Sequence, residues 1–336
     1  MADMMNVEEI EAACNASQPL DFSRHPLEGP ELKLHAAAYP YGFPVHLHSN
    51  SAQVLDMYLE AWNAFSPRFE TPEIHVSVTV VSGDSPECPP EPNFRIMLPL
   101  IIATADADNY SIIDLGRAAT TVVISEATMR HPLYASYFFL EHAASCHITN
   151  RYVTPVHAGC VEWAGSGILL CGDSGAGKST LSYACARSGF GYISDDATYL
   201  LRGGGGRMAL GNSHKVRLRP EAAKFFPEMR DLPITPRAAG KPSIEVAASD
   251  DITTLADTYI DHIVFLNRRS GREKLCPYRQ DAARGFFRQT AWGMPEHQPE
   301  RERDLDGLLM AQLHELHYSD MDWAVQRLQQ MVEENL

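Results

Sequence analysis

The sequence predicts an α/β chain in two parts, a smaller α+β domain over residues 1–130 and a larger α/β domain over residues 131–336. Three observations predict it. Residues 168–171 (ILLC) are wholly apolar, as in a short strand buried on both faces. A glycine-rich segment follows at once and opens into a helical pattern at 181–187. Before residue 130, one helical pattern stands among alternating, β-branched runs.

Taken in order, residues 1–30 are mixed and proline-bearing and read as a loosely packed arm. Ser49-Asn50-Ser51 offers helix-capping chemistry, and Val54, Leu55, Tyr58, Leu59 and Trp62 then recur at helical spacing. Strands are expected at 73–81, 95–103, 110–115 and 120–124, with a proline-rich loop at 83–92. Residues 132–146 read as a largely buried helix. A strand at 156–163 precedes a turn at 164–167, and Gly189 is placed to end the helix that follows the glycine-rich segment. Residues 191–194 lead into Asp195-Asp196. The segments 198–202 and 207–210 flank four glycines, 203–206, as a hairpin with a flexible tip. A short helix at 220–226, a basic loop at 230–242, a strand at 260–266 and helices at 280–289 and 323–333 complete the chain.

Composition narrows the function. The net charge of −15 removes the basic footprint of a nucleic-acid binder, so an anionic ligand must be held by local N–H groups and a few cations. No run approaches the ~18 apolar residues of a membrane span, and residues 1–14 are acidic without a long apolar run, unlike a signal peptide. The expectation is a soluble cytoplasmic protein. The cysteines, Cys14, Cys88, Cys146, Cys160, Cys171, Cys185 and Cys276, form no Cys-x-x-Cys pair and mostly sit in apolar runs, as buried free thiols do.

The segment Gly172-Asp173-Ser174-Gly175-Ala176-Gly177-Lys178-Ser179 has the Gly-x-x-x-x-Gly-Lys-Ser pattern of a phosphate loop. The pattern alone arises by chance in roughly one chain of this length in a hundred, but a buried strand before it and a helix after it are the context it requires. Its glycines let successive N–H groups converge on phosphate oxygens, and the new helix adds its positive end. Lys178 can reach the β- and γ-phosphates, and the Ser179 hydroxyl can ligate Mg²⁺. The expected ligands are ATP and Mg²⁺, with Thr180 closing the binding segment.

Asp195-Asp196 lies 17 residues beyond Lys178, at the end of the next strand-like run. One carboxylate there can hold Mg²⁺, and its neighbour can take the proton of an attacking hydroxyl. Two adjacent aspartates also make an Asx turn or a helix cap; the nearby phosphate loop favours the chemical reading. His157 falls 15 residues before Gly172, and antiparallel pairing through 164–167 brings it to the same sheet end. Taken alone, a histidine on an apolar strand is more often a packed, hydrogen-bonded residue.

Together, His157-Ala158-Gly159, the loop 172–179 and Asp195-Asp196 resemble the catalytic domain of HPr kinase/phosphorylase, over about residues 150–205 and more weakly to about 330. The resemblance implies a phosphoenolpyruvate carboxykinase-like fold and ATP- and Mg²⁺-dependent phosphorylation of a Ser or Thr hydroxyl on a protein or peptide. It implies Asp195 as general base, Asp196 with Ser179 as metal partners, Lys178 on phosphate, a site role for His157, and a homo-oligomer. The chain departs from the family in having Thr180 where Glu is usual and in lacking the later Glu-x-Arg-Gly-Leu-Gly signature. Gly240-Lys241-Pro242 is at best a remnant of the family's Lys-Pro-Gly-Arg run. This is the pattern of a divergent relative, of the kind that includes kinases tailoring small peptides. Arg217, Arg219, Arg237, Lys241, Arg268 and Arg269 are candidates to complete the site with positive charge, or surface charges. Two other readings keep the same loop: a small-metabolite kinase, and a non-catalytic nucleotide sensor.

Overall fold

The computed structural model describes residues 31–63, 65–83, 87–213, 215–232, 234–235, 243–247, 251–268, 271–289 and 294–334. The arm 1–30 and Arg237, Lys241 and Arg269 lie outside the described residues. The architecture is mixed α/β with several sheets.

The first sheet begins with β1 (Leu34–Ala38) and β2 (Val45–Ser49), an antiparallel pair. Helix α1 (Ala52–Trp62) follows, with Val54, Tyr58 and Trp62 buried at helical spacing. Ser49 Oγ accepts the N–H of Ser51 (3.1 Å) and donates to Val78 O (2.8 Å), tying the helix start to β3 (Ile74–Val81). The run 95–103 is two strands, not one: β4 (Asn93–Met97) and β5 (Leu100–Thr104) form a hairpin turning at Leu98-Pro99, where proline cannot supply a ladder N–H. With β6 (Tyr110–Asp114) and β7 (Ala119–Ser125) the order is β1-β2-β3-β7-β6-β5-β4. The expected helix at 132–146 runs on to Arg151: Pro132–Ala135, a wider π-type turn over Ser136–Glu141, and His142–Arg151 make one helix, α2. Phe139, Leu140, Ala144 and Ile148 share a core with Val76 and Val78, so the first sheet's core takes in chain well past residue 130.

The run 156–163 breaks at His157-Ala158 into β8 (Val153–Val156) and β9 (Gly159–Trp163). Next come β10 (Ser166–Cys171), α3 (Lys178–Arg187), β11 (Gly191–Ser194), β12 (Thr198–Leu201) and β13 (Met208–Gly211). A small sheet, β14-β16-β15, is made by β14 (Lys215–Leu218), β15 (Ile234–Thr235) and β16 (Ser243–Ala247). The long β17 (Asp257–Arg268), β18 (Lys274–Pro277), α4 (Gln280–Arg288), α5 (Gln298–Leu308), β19 (Gln312–Tyr318) and α6 (Met321–Glu333) close the chain. The second sheet runs β11-β9-β10-β17-β13-β12-β8, and β19 pairs with both β17 and β18.

Strands β10, β17 and β19 are parallel, and β10 with the middle of β17 is buried on both faces. Ile168 and Leu170 pack with α3 and α6 on one side; Leu169 and Cys171 pack with α4 and α5 on the other. The wholly apolar run 168–171 is the sequence expression of that arrangement. The four-glycine tip is docked rather than free: a Cβ on Gly206 would lie 2.2 Å from Asp304 O, and one on Gly307 would lie 2.2 Å from Gly205 O. Among the described residues, Cys146, Cys160, Cys171 and Cys185 are buried free thiols, while Cys276 is half-buried and Cys88 exposed. No helix among the described residues is long and apolar enough to cross a membrane.

Candidate active site

Sheet topology brings the predicted residues together. β9 is antiparallel to both neighbours, β10 and β11. The loop after β10, the aspartates after β11 and the histidine before β9 therefore meet at one sheet end. The hairpin at Ala164-Gly165 has Leu170 opposite Gly159, which sets His157 beside the loop start.

The loop has the conformation its glycines allow. Gly175 and Gly177 take φ of 93° and 98°, values that strain any residue with a Cβ. Gly177 must also stay small, since a Cβ there would lie 2.9 Å from Tyr318 Oη, whereas the space beside Gly175 is open. Helix α3 starts at Lys178 with no side-chain cap, so the N–H groups of its first turn point to the loop without a side-chain acceptor.

Lys178 is buried. Its Nζ donates to Gly172 O (2.8 Å), more weakly to Asp173 O (3.4 Å), and approaches His157 Nε2 (3.1 Å). Burial pulls its pKa down, and the charge of Asp196 opposes that. His157 Nδ1 lies 3.4 Å from Asp196 Oδ1. A proton on Nδ1 and a lone pair on Nε2 satisfy both neighbours, giving a line Lys178–His157–Asp196.

Asp195 accepts the N–H of Arg217 at Oδ2 (2.9 Å). Burial pushes its carboxyl up to about 6; the Arg217 N–H opposes this and the neighbouring Asp196 charge adds to it. That value suits a base at neutral pH. Gly159 explains the third residue of the His157-Ala158-Gly159 segment. A Cβ there would meet Ser182 Oγ at 2.3 Å and Asp195 O at 3.1 Å, so only glycine lets α3 and the acidic turn close over β9.

These groups line a cavity of about 1080 Å³. Ser174, Gly175, Gly177, Lys178, Ser179 and Thr180 form its loop side, and His157, Asp195 and Asp196 its floor. Gly172, Asp173 and Ala176 are not on its wall. Arg217, Arg219 and Arg268 line it too. Arg217 pairs with Glu245 (3.4 Å), Arg219 Nη2 donates to Ser174 Oγ (3.3 Å), and the Arg268 guanidinium lies 4.7 Å from the Phe225 ring centre. The lining also takes in Tyr41, Phe94, Tyr137, Glu141 and His142, all N-terminal to the loop domain's strands. Sequence reading did not single these out. They come from β4, α2 and the turn after β1, and no local pattern announces an approach made by tertiary packing.

No family model matches the chain, and no curated protein matches it. Among solved structures, the chain is similar to the Hpr(Ser) kinase/phosphatase from Coxiella burnetii at 11% identity and a TM-score of 0.29, over 54% of this chain and 95% of that one. That likeness is too slight to carry weight, and the functional reading rests on the side chains described above.

Proposed function

We propose that the protein is an ATP- and Mg²⁺-dependent kinase of the HPr kinase-like class, with a phosphoenolpyruvate carboxykinase-like nucleotide domain, acting on a Ser or Thr hydroxyl of a protein or peptide. One observation carries the reading: the Lys178–His157–Asp196 line, with Asp195 beside it, stands at the open end of an uncapped, glycine-built loop. The loop fits a triphosphate. Lys178 is a buried cation whose partners are two carbonyls and an imidazole nitrogen, none of them anionic, and the space beside Gly175 is open.

Ser179 and Asp196 would hold Mg²⁺, which supplies charge neutralisation on the transferring phosphates. The loop N–H groups and Lys178 bind phosphate oxygens. His157 holds Asp196 and Lys178 in register through its two nitrogens. Asp195 accepts the proton that the acceptor hydroxyl gives up as its oxygen bonds to phosphorus and the bond to ADP breaks. Arg217 fixes Asp195 by its backbone N–H, and Arg219 and Arg268 add positive charge at the rim.

The cavity lining favours a second reading of the acceptor. Tyr41, Phe94, Tyr137 and Glu141 share one cavity with Asp195, and such a space suits a small metabolite better than the flat surface of a folded protein. A non-catalytic sensor has no need of a carboxyl raised to about 6 beside its loop. Incubation with γ-labelled ATP and cell extract, resolved by size, tests the reading. A labelled protein or peptide supports the first acceptor class, a labelled small molecule the second, and no label at all overturns kinase activity.

A further inference from the structure

A second cluster of reactive side chains lies on the antiparallel pair β18–β19, among residues that none of the chemistry above uses. β18 and β19 are antiparallel with Cys276 directly opposite Glu315. Glu315 and His317 are two apart on β19, so the strand's period of two puts them on the same face. His317 Nε2 lies 3.1 Å from Glu315 Oε2, and the ligand atoms of Cys276, Glu315 and His317 all fall within 4.8 Å of one another. All three are half-buried. Across the sheet, Asn267 on β17 is in register with His317 and donates from Nδ2 to Glu315 Oε1 (2.8 Å), which fixes the carboxylate and leaves Oε2 toward the other two. The Cys276 thiol has only a long contact to Glu315 O (3.8 Å), weak for a donor of this kind.

We propose that Cys276, Glu315 and His317 form a binding site for a thiophilic divalent cation of the Zn²⁺ class, separate from the nucleotide cavity and independent of the kinase reading. The donor set decides the metal. One sulfur, one imidazole nitrogen and one carboxylate oxygen suit Zn²⁺ and its neighbours in the first transition row; Mg²⁺ and Ca²⁺ require oxygen ligands in larger number. Three protein ligands leave a tetrahedral ion one open position for water. Asn267 acts as the outer partner that orients a ligating carboxylate. Lys274, the register partner of His317, is exposed.

Co²⁺ titration of the full, reduced chain tests the site, because a thiolate ligand gives a near-ultraviolet charge-transfer band that nitrogen and oxygen ligands do not. This matters here, since His35, His46, His48 and His75 crowd the exposed face of the first sheet with neighbouring ring centres 5.8–6.4 Å apart and can bind metal without sulfur. The expected result is a saturable one-to-one band, displaced by Zn²⁺, absent in Cys276→Ser and weakened at least about tenfold in Asn267→Ala and Glu315→Gln. Zn²⁺ should raise the melting temperature of the wild-type chain and not that of Cys276→Ser. Absence of the band in the wild-type chain overturns the site, and so does a band that survives Cys276→Ser.

Discussion

Around the seven-stranded sheet, the buried polar groups are neutral: Ser49 Oγ donates to Val78 O at 2.8 Å and Thr120 Oγ1 meets His147 Nε2 at 2.7 Å, while Tyr58 Oη, Trp62 Nε1 and His147 Nδ1 find no partner among the described residues. At the loop end of the second sheet the groups are charged, and their charge is not fully matched. Lys178 has no anionic partner among its hydrogen bonds, Asp195 is held with a raised pKa, and α3 begins without a side-chain cap. The first carries no unmet charge. On the proposed reading, the second gives up stability that a phosphate ligand recovers by supplying the missing charge. The difference teaches where ligand chemistry is located without reference to any relative, and it can be broken by substitution.

The largest effect is expected at Asp195. Asp195→Asn keeps an oxygen for the Arg217 N–H but removes the base, so phosphoryl transfer should fall by about 10²–10⁴-fold with ATP affinity unchanged or slightly improved. Wild-type turnover should rise as pH climbs toward about 6 and then level, while residual turnover of the variant should lack that step. Stability should move the other way. The folded-state pKa is raised above the unfolded value, so the stabilising term from protonated Asp195 is complete below that unfolded value and is lost as pH rises through about 6. Above pH 6, Asp195→Asn should therefore unfold later than the wild-type chain, by on the order of 1–2 kcal/mol after allowance for partial exposure. A less stable Asp195→Asn at pH 8 would place this carboxylate among the matched polar groups.

Asp196→Asn should act on the metal. Its apparent Mg²⁺ affinity should fall several-fold, and excess Mg²⁺ should restore part of the turnover; a Mg²⁺ titration of activity measures both. Full turnover in both aspartate variants would reduce the pair to a turn.

Val76→Ala is the control from the other region. Val76 is fully buried in β3, and its truncation should cost about 1–3 kcal/mol in denaturant unfolding. At temperatures where the variant remains folded, ATP affinity should not change. Loss of ATP binding in that variant would show that the two regions are not separable.

Much of this was legible in the sequence because it depends on local pattern. The apolar run at 168–171 and the glycines before Lys178 state a buried strand and a positive-φ loop opening into a helix in adjacent residues. The approach of His157 to the loop followed from one hairpin turn, and that of Asp195-Asp196 from their place at the end of the next strand-like run. Other features are tertiary. The break at His157-Ala158 is hidden because apolar residues continue through it while β8 and β9 part to different neighbours. β19 carries His314, Glu315 and His317 and does not look like a parallel strand, yet it buries the face of His314, Leu316 and Tyr318. α5 is charged for most of its length, yet buries Arg301, Asp304, Leu305 and Leu308. Arg217 serves Asp195 through a backbone N–H, which no side-chain pattern records.

The most direct test of the central claim is ATP·Mg²⁺ binding by calorimetry on the wild-type chain and on Lys178→Ala, with phosphate release followed in the same samples. Lys178 is the buried cation at the loop, so its loss should weaken ATP binding by at least about tenfold, abolish turnover, or do both, while the rest of the fold stays intact by circular dichroism. Unchanged affinity together with unchanged turnover would contradict the assignment of the loop as a nucleotide site.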